Sequence, residues 1–173
     1  MVLLVNGEQY DKLKAHKEGK FHYAFSVFVF NAKNELLLQQ RAAHKYHSGG
    51  LWTNTCCSHP LSDAISEIKK FAEERLVYEM GISCSLEHAF DFEYNAQCGD
   101  LTENEYDCVF IGCSDETPHV NSNEVNAYQW DSLENINKRR IIYSQEYTPW
   151  FNIILDKCYA QLLNRLNKAT EVN

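Results

Sequence analysis

Hydrophobic residues follow a two-residue period in the first third of the chain, which predicts strands. The run FHYAFSVFVF at 21–30 is aromatic and β-branched, as is typical of a strand. The turn NAKN follows it, so ELLLQQR at 35–41 is predicted to return as its hairpin partner. A loop, AAHKYHSGG, then leads into a further short strand, LWTNTCCSH.

Two later stretches have the period of a helix. In the first, apolar residues recur at steps of three and four positions: Ile65, Ile68, Ala72 and Leu76. We predict an amphipathic helix of about five turns there, with Ser62 or Asp63 as its N-cap and Gly81 at its end. The second, TPWFNIILDKCYAQLLNRL, has Thr148 as N-cap and Pro149 at its first position.

Between these helices the pattern returns to strands. EHAFDFEYNAQ and NEYDCVFIGCS flank the turn CGDLT, and the strand NAYQW precedes a short helix, DSLENINKR. We find no internal repeat or Pro/Gly-rich linker, so we expect one domain over residues 1–173. Strands mixed with a few non-alternating helices predict an α+β fold, with helices packed on a mixed or antiparallel sheet.

The composition limits which partners the protein can have and in which cellular compartment we expect it. A net charge of −8 argues against a nucleic-acid partner, so any basic site must be small and local. The first residues, MVLLVNGEQYDKLK, are too polar for a signal or membrane segment, and we expect a cytoplasmic protein without a membrane partner. Seven cysteines without any CxxC spacing are expected to be reduced thiols, mostly buried.

Side chains capable of chemistry fall into four groups. They are His16 with His22, Cys57 with His59, Glu103 with Glu105, and the cations Lys12, Arg41, Lys45 and Arg75. In an extended segment, residues two apart share a face, which applies to the second and third groups. Three imidazoles and two carboxylates would suit Mn, Fe, Mg or Zn, and a cysteine outside that set would be free for acid–base work.

These residues alone leave simpler interpretations open. The two glutamates could be a solvated strand edge, the adjacent Cys56 and Cys57 could be core thiols, and the cations could lie on a solvated loop. A structural zinc or redox-sensing module built on the two cysteines and His59 is a further alternative, although no second half-site of metal-ligand spacing accompanies it.

Several blocks of the chain match a known family in sequence and in order. They are FHYAFSVFVFNAKNELLLQQRA, the following Lys45, GLWTNTCCSHPL, YEMG, ENE and the late PW, and they span about residues 10–155. The chain thereby resembles the type I isopentenyl-diphosphate delta-isomerases, a branch of the Nudix fold. The resemblance implies interconversion of isopentenyl and dimethylallyl diphosphate through a carbocation-like state. It also implies a small prenyl diphosphate as the substrate, and we expect a monomer.

The resemblance further implies a role for each matching residue. Its divalent metal, Mn²⁺ or Zn²⁺, would have five protein ligands: His16, His22, His59, Glu103 and Glu105. Cys57 and Glu105 match the two proton-transfer groups, Tyr94 the tyrosine beside that carboxylate, and Trp150 the aromatic residue that faces the reacting carbon. Glu79 matches the carboxylate serving a second ion, Mg²⁺, on the diphosphate. The phosphate contacts would be Lys12, Arg41, Lys45 and Arg75.

The segment before Gly81 departs from the motif of Nudix hydrolases, G-x5-E-x7-R-E-U-x-E-E-x-G-U. Pro60 replaces its first glycine, Ser66 its first glutamate and Tyr78 one of its paired glutamates, while Glu74 and Arg75 stand in reversed order. A helix so poor in carboxylates disfavours the alternative function, a hydrolase of nucleotide or prenyl diphosphates. The loop KYHSGG also lacks the aromatic-Pro-Gly run of the isomerase pattern, which leaves its shape open.

Overall fold

A seven-stranded mixed sheet lies at the centre of the protein, accompanied by a two-stranded sheet at the N-terminus. The computed structural model describes residues 1–170, with side chains to residue 167; residues 171–173 of the predicted domain lie outside the described residues. The strands are β1 (Val2–Leu3), β2 (Gln9–Tyr10), β3 (His22–Phe30), β4 (Glu35–Arg41), β5 (Trp52–Thr53), β6 (Cys56–Ser58), β7 (Leu86–Cys98), β8 (Leu101–Cys113) and β9 (Val125–Ser132). The helices are α1 (Lys12–Glu18), α2 (Ile65–Met80), α3 (Leu133–Ile142) and α4 (Pro149–Thr170), with a 3₁₀ turn at Ser144–Glu146.

Strand β3 is the central element of the site. Strands β6 and β8 pair with it directly, and β7 pairs with β8. Strand β3 pairs in parallel with β8, where His22 lies opposite Glu105. On its other edge it pairs with β6, where Ser26 lies opposite Cys57. Strand β7 continues the sheet beyond β8 and places Tyr94 opposite Glu105. Residues far apart in sequence therefore meet at one end of the sheet.

The predicted hairpin of β3 and β4 forms only at its turn. Phe30 pairs with Leu36, and beyond that point the two strands separate. The reason is that β6 occupies the edge of β3 at residues 25–27, while β4 pairs along its length with β9 instead. The turn sequence specifies the local reversal, whereas the partner of each strand is decided by distant segments.

The predicted ends of α2 and α4 are confirmed in part. Gly81 ends α2 in the left-handed region at φ 67°, and the Thr148 hydroxyl accepts a hydrogen bond from Phe151 N–H at 3.4 Å at the start of α4. The predicted N-cap of α2 is wrong. Ala64 holds that position without a side-chain bond, because the Ser62 hydroxyl instead accepts the N–H of Ala64 in the preceding turn.

Helix α1 was not predicted, although its boundaries carry ordinary signals. The carboxylate of Asp11 accepts the N–H of Lys14 at 2.9 Å, and Gly19 ends the helix at φ 62°. The helix has only seven residues, too few for a clear apolar stripe. It carries two of the predicted site residues, Lys12 and His16.

Both faces of the sheet are covered, which explains the uninterrupted apolar run of β3. Phe28 and Phe30 pack against α4, and Phe25 and Val27 pack against α2 on the opposite face. This arrangement of a mixed sheet with flanking helices confirms the predicted α+β class. In the described part of the chain, no helix has the length and apolar character needed to span a membrane.

Candidate active site

Three histidines, two of them fully buried, converge at the edge where α1, β3 and β6 meet. His16 and His22 are fully buried, and each donates its Nδ1–H to a backbone carbonyl at 2.7 Å, that of Lys12 and of Lys20 respectively. Their Nε2 atoms are buried without a hydrogen-bond partner among the described residues. The Nδ1 bonds therefore fix the tautomer and point the Nε2 lone pairs into the site, as in metal-ligating histidines.

Glu105 is the group on which these imidazoles converge. Its Oε1 lies 2.9 Å from Nε2 of His59, 3.3 Å from that of His22 and 3.9 Å from that of His16. These four residues bring ligand atoms within 4.8 Å of one another. Imidazole and carboxylate donors, with unpartnered buried nitrogens among them, form a group that could hold a divalent metal ion.

A second carboxylate is joined to Glu105 by a tyrosine. The Tyr94 hydroxyl lies 2.6 Å from Oε2 of Glu105 and 3.0 Å from Oε2 of Glu103. Burial, and then the charge of Glu105, raises the pKa of Glu103 well above its usual range. Burial alone would also raise the pKa of Glu105, but His59 and His22 together hold it well below that range. Glu103 is thus the protonated member of the pair, and Glu105 the ionised one.

Burial also keeps the histidines neutral. It is the main cause that lowers the pKa of His59 to about 3 and that of a further histidine, His47, to about 3. The pKa of His16 is lowered for the same reason. Neutral imidazoles are the form that binds metal ions, so the site is prepared for them at neutral pH.

This leads to a testable pH dependence in metal-free protein. The NMR signals of His47 and His59 should keep their neutral positions from pH 8 to about 5, whereas in urea-unfolded chain they should titrate near pH 6.5. Because the folded pKa lies below the unfolded one, the contribution of these histidines to stability is complete above pH 6.5. It is lost as the pH falls toward about 3. A folded-state titration midpoint near 6.5 would contradict the burial argument.

Cys57 approaches the same cavity from β6 but does not join the metal group. Among the described residues, no set of possible metal ligands includes it. Burial is the main cause that raises the pKa of its thiol to about 12, so it is protonated at neutral pH. Its neighbour Cys56 is fully buried in the core against α2. The two adjacent cysteines therefore occupy different environments.

One cavity brings the predicted groups together. All of the predicted site residues line it except His16 and His22: the lining includes Lys12, Arg41, Lys45, Cys57, His59, Arg75, Glu79, Tyr94, Glu103, Glu105 and Trp150. Glu79 of α2 accepts a hydrogen bond from Gln39 at 3.0 Å and forms an ion pair with Arg75. Lys45 pairs with Glu124. The cations thus form a small local cluster within a protein of net charge −8, as its composition predicted.

Trp150 belongs both to this cavity and to the core. It is 2% exposed and packs in the cluster around α4, yet its ring also lines the cavity. The guanidinium carbon of Arg41 lies 5.1 Å from the ring centre, within the range of a cation–π contact. The indole is therefore already placed against a positive charge.

Comparisons with known proteins give the family. A NUDIX domain model matches residues 20–151. An isopentenyl-diphosphate Delta-isomerase of Pectobacterium atrosepticum is 42% identical over 144 residues, which cover 83% of this chain and 79% of that relative. One of Serratia proteamaculans is 35% identical over 171 residues, covering 95% and 94%. The chain belongs to the isopentenyl-diphosphate Delta-isomerase family.

Solved structures support the fold of this family member. The DR0079 protein of Deinococcus radiodurans has a TM-score of 0.64 at 17% identity, covering 79% of this chain and 82% of that one. The MutT protein of Methanosarcina mazei has a TM-score of 0.60 at 18% identity, covering 87% and 95%. At such identities the likeness establishes the Nudix fold alone.

The isomerase-family chain contains site residues that sequence reasoning missed. His47 and Tyr46 line the cavity from the loop between β4 and β5, and Gln39 supports Glu79 from β4. Asp107 continues the alternation of Glu103 and Glu105 along β8, and it is buried with its Oδ2 accepting a hydrogen bond from Ser26 at 2.7 Å. The period-two spacing in TENEYD could have revealed Asp107. His47 lies in the loop that departs from the family pattern, so the resemblance gave it no role.

Proposed function

We propose that this protein interconverts isopentenyl diphosphate and dimethylallyl diphosphate in isoprenoid biosynthesis. The observation that carries the proposal is the placement of a thiol, Cys57, and a carboxylate, Glu105, on strands at opposite edges of β3 and on the wall of one cavity. Shifting a double bond along an allylic diphosphate adds a proton at one carbon and removes one two carbons away. A donor and an acceptor on separate sides of the substrate suit that reaction.

Strand geometry places the two groups on one face of the sheet. Cys57 lies opposite Ser26 and Glu105 lies opposite His22, and residues four apart along β3 share a face. Both side chains line the same cavity. The opposite protonation states favour this assignment too, because burial raises the pKa of Cys57 to about 12 while Glu105 stays ionised. Since the reaction is reversible, each group takes the other's role in reverse.

The remaining residues serve metal and substrate binding in this proposal. His16, His22, His59, Glu103 and Glu105 would hold a divalent ion, Mn²⁺ or Zn²⁺, which when bound stabilises the carboxylate form of Glu105. Glu79 would hold Mg²⁺ against the substrate diphosphate. The anionic diphosphate would contact the cations lining the cavity: Lys12, Arg41, Lys45 and Arg75. Cations paired with Glu79 and Glu124 would exchange those partners for phosphate oxygens.

Trp150 would stabilise the carbocation-like transition state through its π face, a contact that contributes about 2 kcal/mol or more when desolvated. We expect Trp150→Phe to keep part of the rate, because a benzene ring offers a weaker π face. Trp150→Leu should lose about 30-fold or more in kcat with little change in KM, since the diphosphate supplies most ground-state binding. Melting curves measured beside kcat are needed, because Trp150 also packs in the core. A destabilised Leu variant with near-normal kcat at low temperature would rule the role out.

Hydrolysis of a nucleotide or prenyl diphosphate is the competing function. Of the glutamates of α2, only Glu79 lines the cavity, and Arg75 is paired with it. The exposed Glu74 points away, so the reversed Glu-Arg order brings a cation rather than a carboxylate to the site.

Isopentenyl diphosphate incubated with protein and Mg²⁺ should yield dimethylallyl diphosphate and no inorganic phosphate. Stoichiometric phosphate release would assign the hydrolase instead.

A further inference from the structure

The loop between β4 and β5 brings a fourth histidine to the candidate metal site. His47 is 8% exposed, and its Nε2 is buried without a hydrogen-bond partner among the described residues, 3.3 Å from Oε1 of Glu103. A buried polar atom without a partner carries a desolvation penalty that a fold rarely leaves uncompensated. The position of this nitrogen beside a carboxylate therefore points to a ligand that both atoms share.

The direction of this nitrogen is fixed by its surroundings. Nδ1 of His47 lies 3.2 Å from the Ser48 hydroxyl, and its ring stands edge-on to Trp150 at a centroid distance of 5.7 Å. The carbonyl of His47 accepts a hydrogen bond from Arg41 at 3.2 Å. The loop itself is tightly closed, because Gly49 packs against the carbonyl of Ala43 where a Cβ would collide. The imidazole is thus held in place before any ligand binds.

His16 connects this histidine to the other metal-binding group. Ligand atoms of His16, His47 and Glu103 lie within 4.8 Å of one another, and His16 also belongs to the group that contains Glu105. Its Nδ1 is used by the carbonyl of Lys12, so only the lone pair of Nε2 remains, and one lone pair binds one ion. His16 can therefore bind only one ion, and an ion bound there would be shared by the two groups.

We propose that His47 is a sixth protein ligand of this ion, in addition to the five that family resemblance supplies. The inference rests on the metal site proposed above, but not on the isomerisation. Four imidazoles and two carboxylates complete an octahedron and leave no position for water or substrate. A set so rich in nitrogen favours Co²⁺, Ni²⁺ and Zn²⁺ over Mg²⁺ and Mn²⁺ more strongly than a set with three imidazoles does.

The competing account is that His47 only donates a hydrogen bond to Glu103 from outside the coordination sphere. Loss of an outer partner of that kind lowers metal affinity by about 10- to 100-fold. It does so for hard and soft ions alike, and the number of coordinated imidazoles stays the same. The number of coordinated imidazoles and the preference for one ion over another therefore distinguish a ligand role from an outer hydrogen bond. The affinity for a single ion does not distinguish them.

The test uses metal-stripped protein, chelator competition with Co²⁺ and with Mn²⁺, and X-ray absorption of the Co²⁺-loaded form. Wild type should show four imidazoles, and His47→Ala and His47→Gln should show three. Both variants should lose at least about 100-fold in Co²⁺ affinity and clearly less in Mn²⁺ affinity. His44→Ala, on an exposed residue of the same loop, is the matched control and should equal wild type. Inorganic pyrophosphate should leave the Co²⁺ absorption spectrum of wild type unchanged.

Each failure has its own signature. An unchanged imidazole count in both His47 variants, or equal losses for Co²⁺ and Mn²⁺, overturns the assignment of His47 while the metal site stands. His16→Ala tests that site, because His16 contributes to both groups. If His16→Ala binds Co²⁺ as wild type does, the proposed metal site and the inference both fail. If only the His47 variants bind as wild type does, the inference alone fails.

Discussion

Cys57→Ser should lower kcat by about 10²- to 10⁴-fold, the usual contribution of a positioned acid–base group. A hydroxyl has nearly the size of a thiol but is a far weaker acid, so the substitution removes the proton transfer and little else. Metal content should stay at the wild-type level, because Cys57 belongs to no metal-binding group among the described residues. Steady-state kinetics and metal analysis of the same preparation measure both quantities.

The adjacent cysteine provides the control for this variant. Cys56 is fully buried in the core against α2, where a serine hydroxyl without a partner costs roughly 1–3 kcal/mol. Cys56→Ser should therefore melt roughly 2–12 °C lower and keep a near-normal kcat when assayed well below its melting temperature. Equal kinetic losses in the two serine variants would refute the division of roles between the cysteines.

Removal of metal should abolish turnover, and a divalent cation should restore it. Without an ion, the buried Glu103 and Glu105 are bonded to the Tyr94 hydroxyl, and no cation is present to stabilise their carboxylate forms. Adding metal to 1,000 times its Kd should also stabilise the fold by about 4 kcal/mol. In a chain of this length that is about 8–16 °C in melting temperature.

Variants of two histidines make this experiment specific. His16→Ala should fail to recover activity or thermal stability when metal is added, because its Nε2 faces Glu105. His88→Ala should recover as wild type does, since His88 is paired with Asp91 at 2.7 Å and lines no part of the cavity. Full activity in protein verified as free of metal would contradict the proposed site.

Local sequence signals predicted the elements well where they were strong. Strand β4 has the predicted bounds, α2 ends at Gly81 and α4 is capped by Thr148. What depends on long-range pairing was not predictable, such as the insertion of β6 beside β3 that separates β3 from its hairpin partner. The short helix α1 was missed because seven residues contain too few turns for a hydrophobic period.

The candidate site shows the same division. Alternation along β8 correctly placed Glu103 and Glu105 on one face, and the structure adds the bridging hydroxyl of Tyr94. The convergence of Glu105 with His22 depends on the parallel pairing of β3 and β8, which no local pattern encodes. His47 escaped the sequence analysis because its loop departs from the family pattern, so the resemblance offered no position to match.

Proton NMR of isopentenyl diphosphate, incubated with protein and Mg²⁺ in deuterated buffer, tests the central claim most directly. The proposed proton addition and removal predict the appearance of dimethylallyl diphosphate with deuterium in its newly formed methyl group, and the diphosphate should remain intact. The reverse incubation, starting from dimethylallyl diphosphate, should reach the same equilibrium mixture. Unchanged, unlabelled substrate after incubation with folded, metal-loaded protein, or release of inorganic phosphate, would contradict the account.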